Sequence, residues 1–486
     1  MIIVPAARPS EVKAEYNLRY VWFISLVAAM GGLLFGYDWI VISGTDIFYE
    51  AHFHLTSAFQ VGWAKSSALL GCLIGALAAG ALSDRFGRKW LLFGSALLFV
   101  VTSIATGLAG SFSWFILWRV LGGAAIGLAS NLSPMYIAEV APAQARGKLV
   151  SLNQLMIVIG ILLAQFVNWR IASLHPLPDQ AAAEQIANSW AGQTGWRWMF
   201  GATAVPSLFF LVGMLFVAES PRWLAKNGKA ELARSVLAKI GGSDYANAAL
   251  ADIEATLVND TQKVNFRELW EPKLKKILLL GVALAVLQQW CGINVIFYYA
   301  KDVFKDAGFK VADILINIVC IGSVNLLATL VAMRTVDRWG RRPLMLFGYA
   351  GLTVLFLVMG CLFLLQVRGA LVLVLVLAAI ACYAMSLAPV TWVLISELFP
   401  NRIRGAAVSV TVTCLWIACF VLTETFPILR EHLGAALTFW IYAAICAFGF
   451  VLFKLRLPET KGRTLEQIEG DLIGDSKTAR PGSGAD

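Results

Sequence analysis

The chain has 486 residues, 59% of them hydrophobic and only 14% charged, with a mean hydropathy of +0.73 and a net charge of +9. A soluble chain of this length needs far more charge to cover its surface, so the composition excludes a soluble globular protein and makes lipid the solvent for much of it. The excess of positive charge reads as a topology signal and carries no implication of nucleic-acid binding.

Apolar runs long enough to cross a hydrocarbon core of about 30 Å are expected at 20–48, 62–83, 90–110, 113–139, 148–171 and 196–218. Six more follow at 274–304, 311–336, 343–366, 370–398, 404–428 and 433–457. The expectation is an all-α membrane protein with twelve transmembrane helices in two six-helix bundles, 1–218 and 274–457. Between them, 219–273 is polar and charged and reads as a cytoplasmic linker of short amphipathic helices, for example Lys229 to Ile240. Residues 458–486 form a polar tail. The first apolar run passes into Asp38 without a small-residue cleavage site, so no cleavable signal is expected.

Most of the 39 Lys and Arg fall on the side that carries both termini, including Arg85, Arg88, Lys89, Arg146, Arg338, Arg341 and the linker. The other side holds only Arg170, Arg197, Lys301, Lys305, Lys310, Arg368 and Arg430, with Lys65 and Arg119 inside spans. Both termini are therefore expected in the cytoplasm. Two glycosylation-like sequons, at Asn131 and Asn259, sit in a span and in the cytosol, which fits a bacterial inner membrane. All eight cysteines lie in apolar runs without metal-ligand spacing. His52 and His54 lack a third ligand, so neither a metal nor a cofactor is expected.

The two halves echo each other. Asp84-Arg85-Phe-Gly87-Arg88-Lys89 follows the second span, and Asp337-Arg338-Trp-Gly340-Arg341-Arg342 follows the eighth. Glu139 with Arg146-Gly147 matches Glu397 with Arg404-Gly405, and Gly36-x-Asp38 matches Gly292-x-Asn294. All three pairs lie roughly 255 residues apart, a repeat typical of transporters that rock around a midplane site.

These motifs, together with Gly31-Gly-Leu-Leu-Phe-Gly-Tyr-Asp38, Glu219-Ser-Pro-Arg222-Trp-Leu224, Gln288-Gln289-x-x-Gly292-Ile-Asn294, Pro389-x-x-Trp392 and Pro458-Glu-Thr-Lys-Gly462, resemble the sugar porter family of the major facilitator superfamily. The resemblance covers nearly the whole chain. It implies the twelve-helix, pseudo-symmetric fold of that superfamily and the transport of a monosaccharide.

Asp38 is the sharpest residue, because a carboxylate within a span costs about 2.5–3.5 kcal/mol even on the lenient insertion scale. It needs a cavity and a partner, and Arg119 is the candidate. One reading has Asp38 carry the transported proton while Arg119 sets its acidity; the plainer reading is a static ion pair that fixes helix register. Resemblance favours the first, since proton-coupled sugar porters have Asp here.

A neutral, amide-rich site suits a pyranose, whose hydroxyls both donate and accept. Gln288, Gln289 and Asn294 supply the amides. On a continuous helix Asn294 would lie about 240° around from Gln288, so a break at Gly292 is expected to bring them together. By family match Gln154, Asn325 and Trp392 complete the site, with Ile161 and Trp416 beside it. The plainer reading is that membrane amides glue helices together. Leu415 and Cys419 depart from the polar residues often found there in relatives, which leaves the sugar open.

The resemblance also implies an inner gating network of Asp84, Arg85, Arg88, Glu139, Arg146, Glu219, Arg222, Asp337, Arg338, Arg341, Glu397, Arg404 and Glu459. The bland alternative is a set of topogenic charges. The combined expectation is sugar–proton symport by alternating access, by a monomer, with a passive facilitator or a non-transporting sugar receptor as alternatives. No Gly-x-x-x-x-Gly-Lys-Ser/Thr loop and no nucleophile–base set argues for an enzyme.

Overall fold

The computed structural model describes residues 15–178, 181–259, 269–399 and 403–461. In chain order the helices are α1 (Leu18–Ile40), α2 (Ile42–His52), α3 (Ala58–Phe86), α4 (Arg88–Gly107), α5 (Phe112–Val140), α6 (Arg146–Ala172) and α7 (Ala183–Asn188). Then come α8 (Trp196–Gly201), α9 (Ala204–Phe216), α10 (Pro221–Lys226), α11 (Ala230–Asn259), α12 (Pro272–Trp290), α13 (Ile293–Tyr298) and α14 (Ala300–Asp306). The last are α15 (Val311–Trp339), α16 (Arg341–Leu364), α17 (Ala370–Met385), α18 (Leu387–Glu397) and α19 (Arg404–Arg456).

Among the described residues, 11 helical stretches are long and apolar enough to cross a membrane. The last of them, α19, changes direction at Gly434 (φ 75°, ψ 168°) and holds two spans, which makes the twelve expected from the sequence.

Two compact units divide the chain. The first takes in the described residues up to Phe48, Leu70–Leu174, and those from Trp190 through α11. Its α1 and α6 touch backbone to backbone. A Cβ on Gly36 would fall 1.9 Å from the Ile157 carbonyl oxygen, and one on Gly160 would fall 2.0 Å from that of Leu33. This approach, open only to residues without a side chain, fixes α1 just before Asp38. The start of α1 is held from the segment that the sequence marks as the linker: the Asn17 N–H donates to the Ile240 carbonyl at 2.8 Å, and Tyr16 meets Tyr245 edge-on at 5.3 Å. That segment is two helices, α10 and α11, the latter broken at Gly241–Gly242.

The expected run 20–48 is likewise two helices, because Ser43 (ψ 125°) and Gly44 (φ 89°) leave helical geometry. The break frees two carbonyls, and the Asn168 amide on α6 donates to both, at 2.8 Å to Val41 and 3.0 Å to Ser43.

The second unit takes in Tyr49–Leu69, His175–Ser189 and the described residues from Leu269 on. Its seventh span is broken as the sequence predicts. α12 ends at Trp290, Gly292 adopts the left-handed conformation (φ 87°, ψ −9°), and α13 restarts at Ile293. A Cβ on Gly292 would also meet the Tyr442 ring at 2.8 Å, so both the conformation and the space require glycine.

Candidate proton and substrate sites

In the first unit Asp38 and Arg119 are both buried, at 6% and 2% exposure. The Arg119 Nη1 donates to Asp38 Oδ1 at 3.1 Å, and Nη2 reaches the Asp38 carbonyl oxygen at 3.3 Å. The pair is not bidentate on the carboxylate. Asp38 Oδ2 and Arg119 Nε are buried without a hydrogen-bond partner among the described residues. Oδ2 instead faces Gly122, where a Cβ would lie 3.4 Å away. Arg–carboxylate pairs are frequently bidentate; this one engages a single carboxylate oxygen.

In the second unit the break at Gly292 folds the amides into one chain of hydrogen bonds. The Asn294 amide donates to Gln289 Oε1, the Gln289 amide donates to Gln288 Oε1 at 2.8 Å, and the Gln288 amide donates to the Tyr383 hydroxyl. Asn294 also lies 3.8 Å from Cys419 Sγ, so the cysteine singled out as a departure borders this chain. Tyr383 escaped the sequence reading. Its only signal there was a phenol in the tenth span that needs a partner. Asn325 is buried on α15 outside this hydrogen-bonded chain, Trp416 is buried and Trp392 is 42% exposed. Gln154, half-buried, and Ile161, buried, both lie on α6 of the first unit.

The inner charges form one cluster in each unit, built alike. Gly87 (φ 92°, ψ 166°) and Gly340 (φ 89°, ψ 160°) turn the chain into α4 and α16 with nearly the same geometry. Glu219 accepts the first backbone N–H groups of α4, from Arg88 at 2.9 Å and Lys89 at 3.1 Å. Glu459 accepts those of α16, from Arg341 and Arg342, both at 3.1 Å. Each carboxylate thus sits on the positive end of a helix.

Arg88 then reaches Glu139 at 3.1 Å, and Arg341 reaches Glu397 at 3.2 Å. A hydroxyl completes each cluster: Ser220 donates to Glu139, and Thr460 to Glu397 at 2.6 Å. Asp84 joins the first through Arg88 at 3.4 Å and Lys226 at 3.0 Å. Arg404 turns to the Phe399 carbonyl at 3.2 Å. Arg85, Arg146, Arg222 and Arg338 are exposed. The Asp337 side chain lies outside the described residues.

A second set of charges, whose cations the sequence marks only by their side of the membrane or their place in a span, stands at the other end of the second unit. Lys65 is fully buried, 3.7 Å from Glu50 and 3.8 Å from Asp302, with its ammonium 4.0 Å from the centre of the Tyr299 ring. Lys301 donates to Glu50. Arg430 bridges Asp302 at 3.1 Å and grips Asp306 through two nitrogens at 2.6 and 2.8 Å. A cavity of about 890 Å³ lies beside these charges, lined among others by Glu50, Tyr299, Asp302, Phe426 and Arg430.

Twelve apolar spans, a repeated charged turn and polar side chains sequestered within the spans define a secondary transporter. The match to known proteins fixes the class more closely: residues 24–472 fit the family model described as sugar (and other) transporter, and the chain belongs to that family, the sugar porters of the major facilitator superfamily. It is 38% identical over 489 residues to the D-xylose-proton symporter of Escherichia coli K12, covering 94% of this chain and 97% of the relative. To the glucose transport protein of Synechocystis it is 39% identical over 478 residues, covering 96% and 100%. Among solved structures, a partially occluded inward open conformation of the xylose transporter XylE from E. coli matches with a TM-score of 0.81 at 36% identity, over 92% of this chain and 100% of that one.

Proposed function

We propose that this chain carries a monosaccharide, a pentose or a hexose, across the cell membrane together with a proton, by alternating access between two six-helix halves, 1–218 and 274–457. The observation that carries the reading is the Asp38–Arg119 pair, buried in the spans with one carboxylate oxygen uncommitted. Protonating Asp38 neutralises it and releases Arg119; losing the proton restores the pair. The amide chain from Asn294 to Tyr383 supports a sugar as cargo, since each amide offers both a donor and an acceptor. Gln154, Ile161, Asn325, Trp392 and Trp416 are assigned to the same sugar. The proposed working unit is a monomer with both termini in the cytoplasm.

One proton crossing about 100 mV releases about 2.3 kcal/mol, enough for roughly fiftyfold accumulation at about 1.4 kcal/mol per tenfold. The test is uptake of labelled xylose, arabinose and glucose into proteoliposomes. Accumulation above equilibrium, present only with an imposed inward proton gradient, is the expected result. Equilibration without accumulation would make the chain a passive facilitator.

We assign the two inner clusters to the gate that closes the cytoplasmic side. Because Arg88 is buried, losing Glu139 would strand its charge, a larger loss than that of an exposed bridge of about 0–1 kcal/mol. Glu397→Gln removes the charge that Arg341 meets. It is expected to slow transport several-fold and shift the chain toward the cytoplasm-open state, read by the accessibility of an inner cysteine probe. Unchanged transport and unchanged accessibility would remove Glu397 from the gate.

A further inference from the structure

Glu424 is a further carboxylate within the spans, and neither the sequence motifs nor the proton site uses it. Its Oε2 accepts the Ser66 hydroxyl at 2.6 Å, while its Oε1 is buried with no partner among the described residues. Gly62, one turn before Ser66 on α3, supplies the rest of the seat. A Cβ there would lie 3.0 Å from the Glu424 carbonyl oxygen and 3.1 Å from Oε1. A bare stretch of helix and one hydroxyl thus receive the carboxyl.

The charged groups around it are engaged with one another. Lys65, beside Ser66, stands between Glu50 and Asp302 over the Tyr299 ring, and Lys301 is on Glu50. On its own helix Arg430 is taken up by Asp302 and Asp306, and Glu431 lies beyond it. The Tyr299 hydroxyl donates to the Thr423 carbonyl at 2.6 Å. No cation is paired with Glu424 among the described residues.

An ionised carboxylate has about four acceptor sites to fill, and a single hydroxyl leaves most of its lost hydration unreplaced. The neutral acid loses far less on entering such a seat. We propose that Glu424 is a second proton-binding group: it takes a proton from water when it closes onto Gly62 and Ser66, and returns it when α3 and α19 part. Ser66 marks the seated form by donating to Oε2, and the proton resides on Oε1. The role in transport rests on the proton-coupled reading above; the protonation itself does not, and it can be measured without sugar or a gradient.

The measurement is the infrared difference spectrum of the purified full chain in lipid between about pH 8 and about pH 5, in an Asp38→Asn background so that Asp38 does not contribute to it. The expected result is a protonated-carboxyl band that Glu424→Gln abolishes and Ser66→Ala shifts in frequency. A spectrum unchanged by Glu424→Gln overturns the proposal. Should that variant fail to fold, Ser66→Ala decides alone: a shifted band supports the assignment and an unshifted one overturns it. If uptake in the parent chain needs no proton gradient while the band behaves as expected, symport falls and the protonation of Glu424 stands.

Discussion

Asp38→Asn is expected to abolish proton-driven accumulation while leaving sugar exchange across the membrane intact. The amide keeps an acceptor for Arg119 Nη1 where Asp38 Oδ1 now stands, and the backbone carbonyl that takes Nη2 is untouched. The pair therefore survives as a neutral–cation hydrogen bond, short of the 3–5 kcal/mol typical of stranding a buried partner. What the variant lacks is a group beside Arg119 that gains and loses a proton, so the gradient loses its hold on that pair. Accumulation should fall from roughly fiftyfold at about 100 mV to unity. Counterflow, in which outside sugar enters in exchange for preloaded sugar, should continue at a comparable rate. Uptake and counterflow measured in the same proteoliposomes separate the two. An Asp38→Asn chain that still concentrates sugar would move the coupling elsewhere, and Glu424 would be the first place to look.

The parts of this design visible in the sequence are those whose cause is local. Gly87 and Gly340 stand in identical motifs because a positive φ tolerates little else, and both turns have the same geometry. Gly292 announced the break in the seventh span for the same reason. The twelve spans followed from the length of apolar runs, even where only the turn at Gly434 separates two of them.

Features whose cause is distant stayed hidden. Glu219-Ser220 and Glu459-Thr460 perform the same task at the starts of α4 and α16, yet one pair precedes a proline and the other follows one, so no motif links them. Lys65 was noticed only as a cation in a span. The rule that such a charge must be paired was sound, but its partners Glu50 and Asp302 come from separate stretches of chain and only the fold assembles them. Glu424 had the same signal and no motif to draw attention to it.

Gln289→Ala is the substitution expected to weaken sugar binding most among the amides, because Gln289 is the middle member of its chain. Its amide donates to Gln288 and its carbonyl oxygen accepts from Asn294, so removing it leaves an acceptor on one neighbour and a donor on the other unmatched. Each unsatisfied buried group costs about 1–3 kcal/mol. Without sugar, water entering the space can relieve much of this, and the thermal midpoint should move only a few degrees. With sugar, the two neighbours have lost the partner that orients them, and the hydroxyl pattern they present no longer matches a fixed ligand. A loss of about 1–3 kcal/mol in binding corresponds to roughly 5- to 150-fold weaker affinity, read by titration calorimetry or by the half-saturation of counterflow. Asn325→Ala, outside the hydrogen-bonded chain, should cost less, since it removes one possible sugar contact and disorganises no other. Affinity within twofold of the parent for Gln289→Ala would mean that these amides join helices and do not touch the sugar.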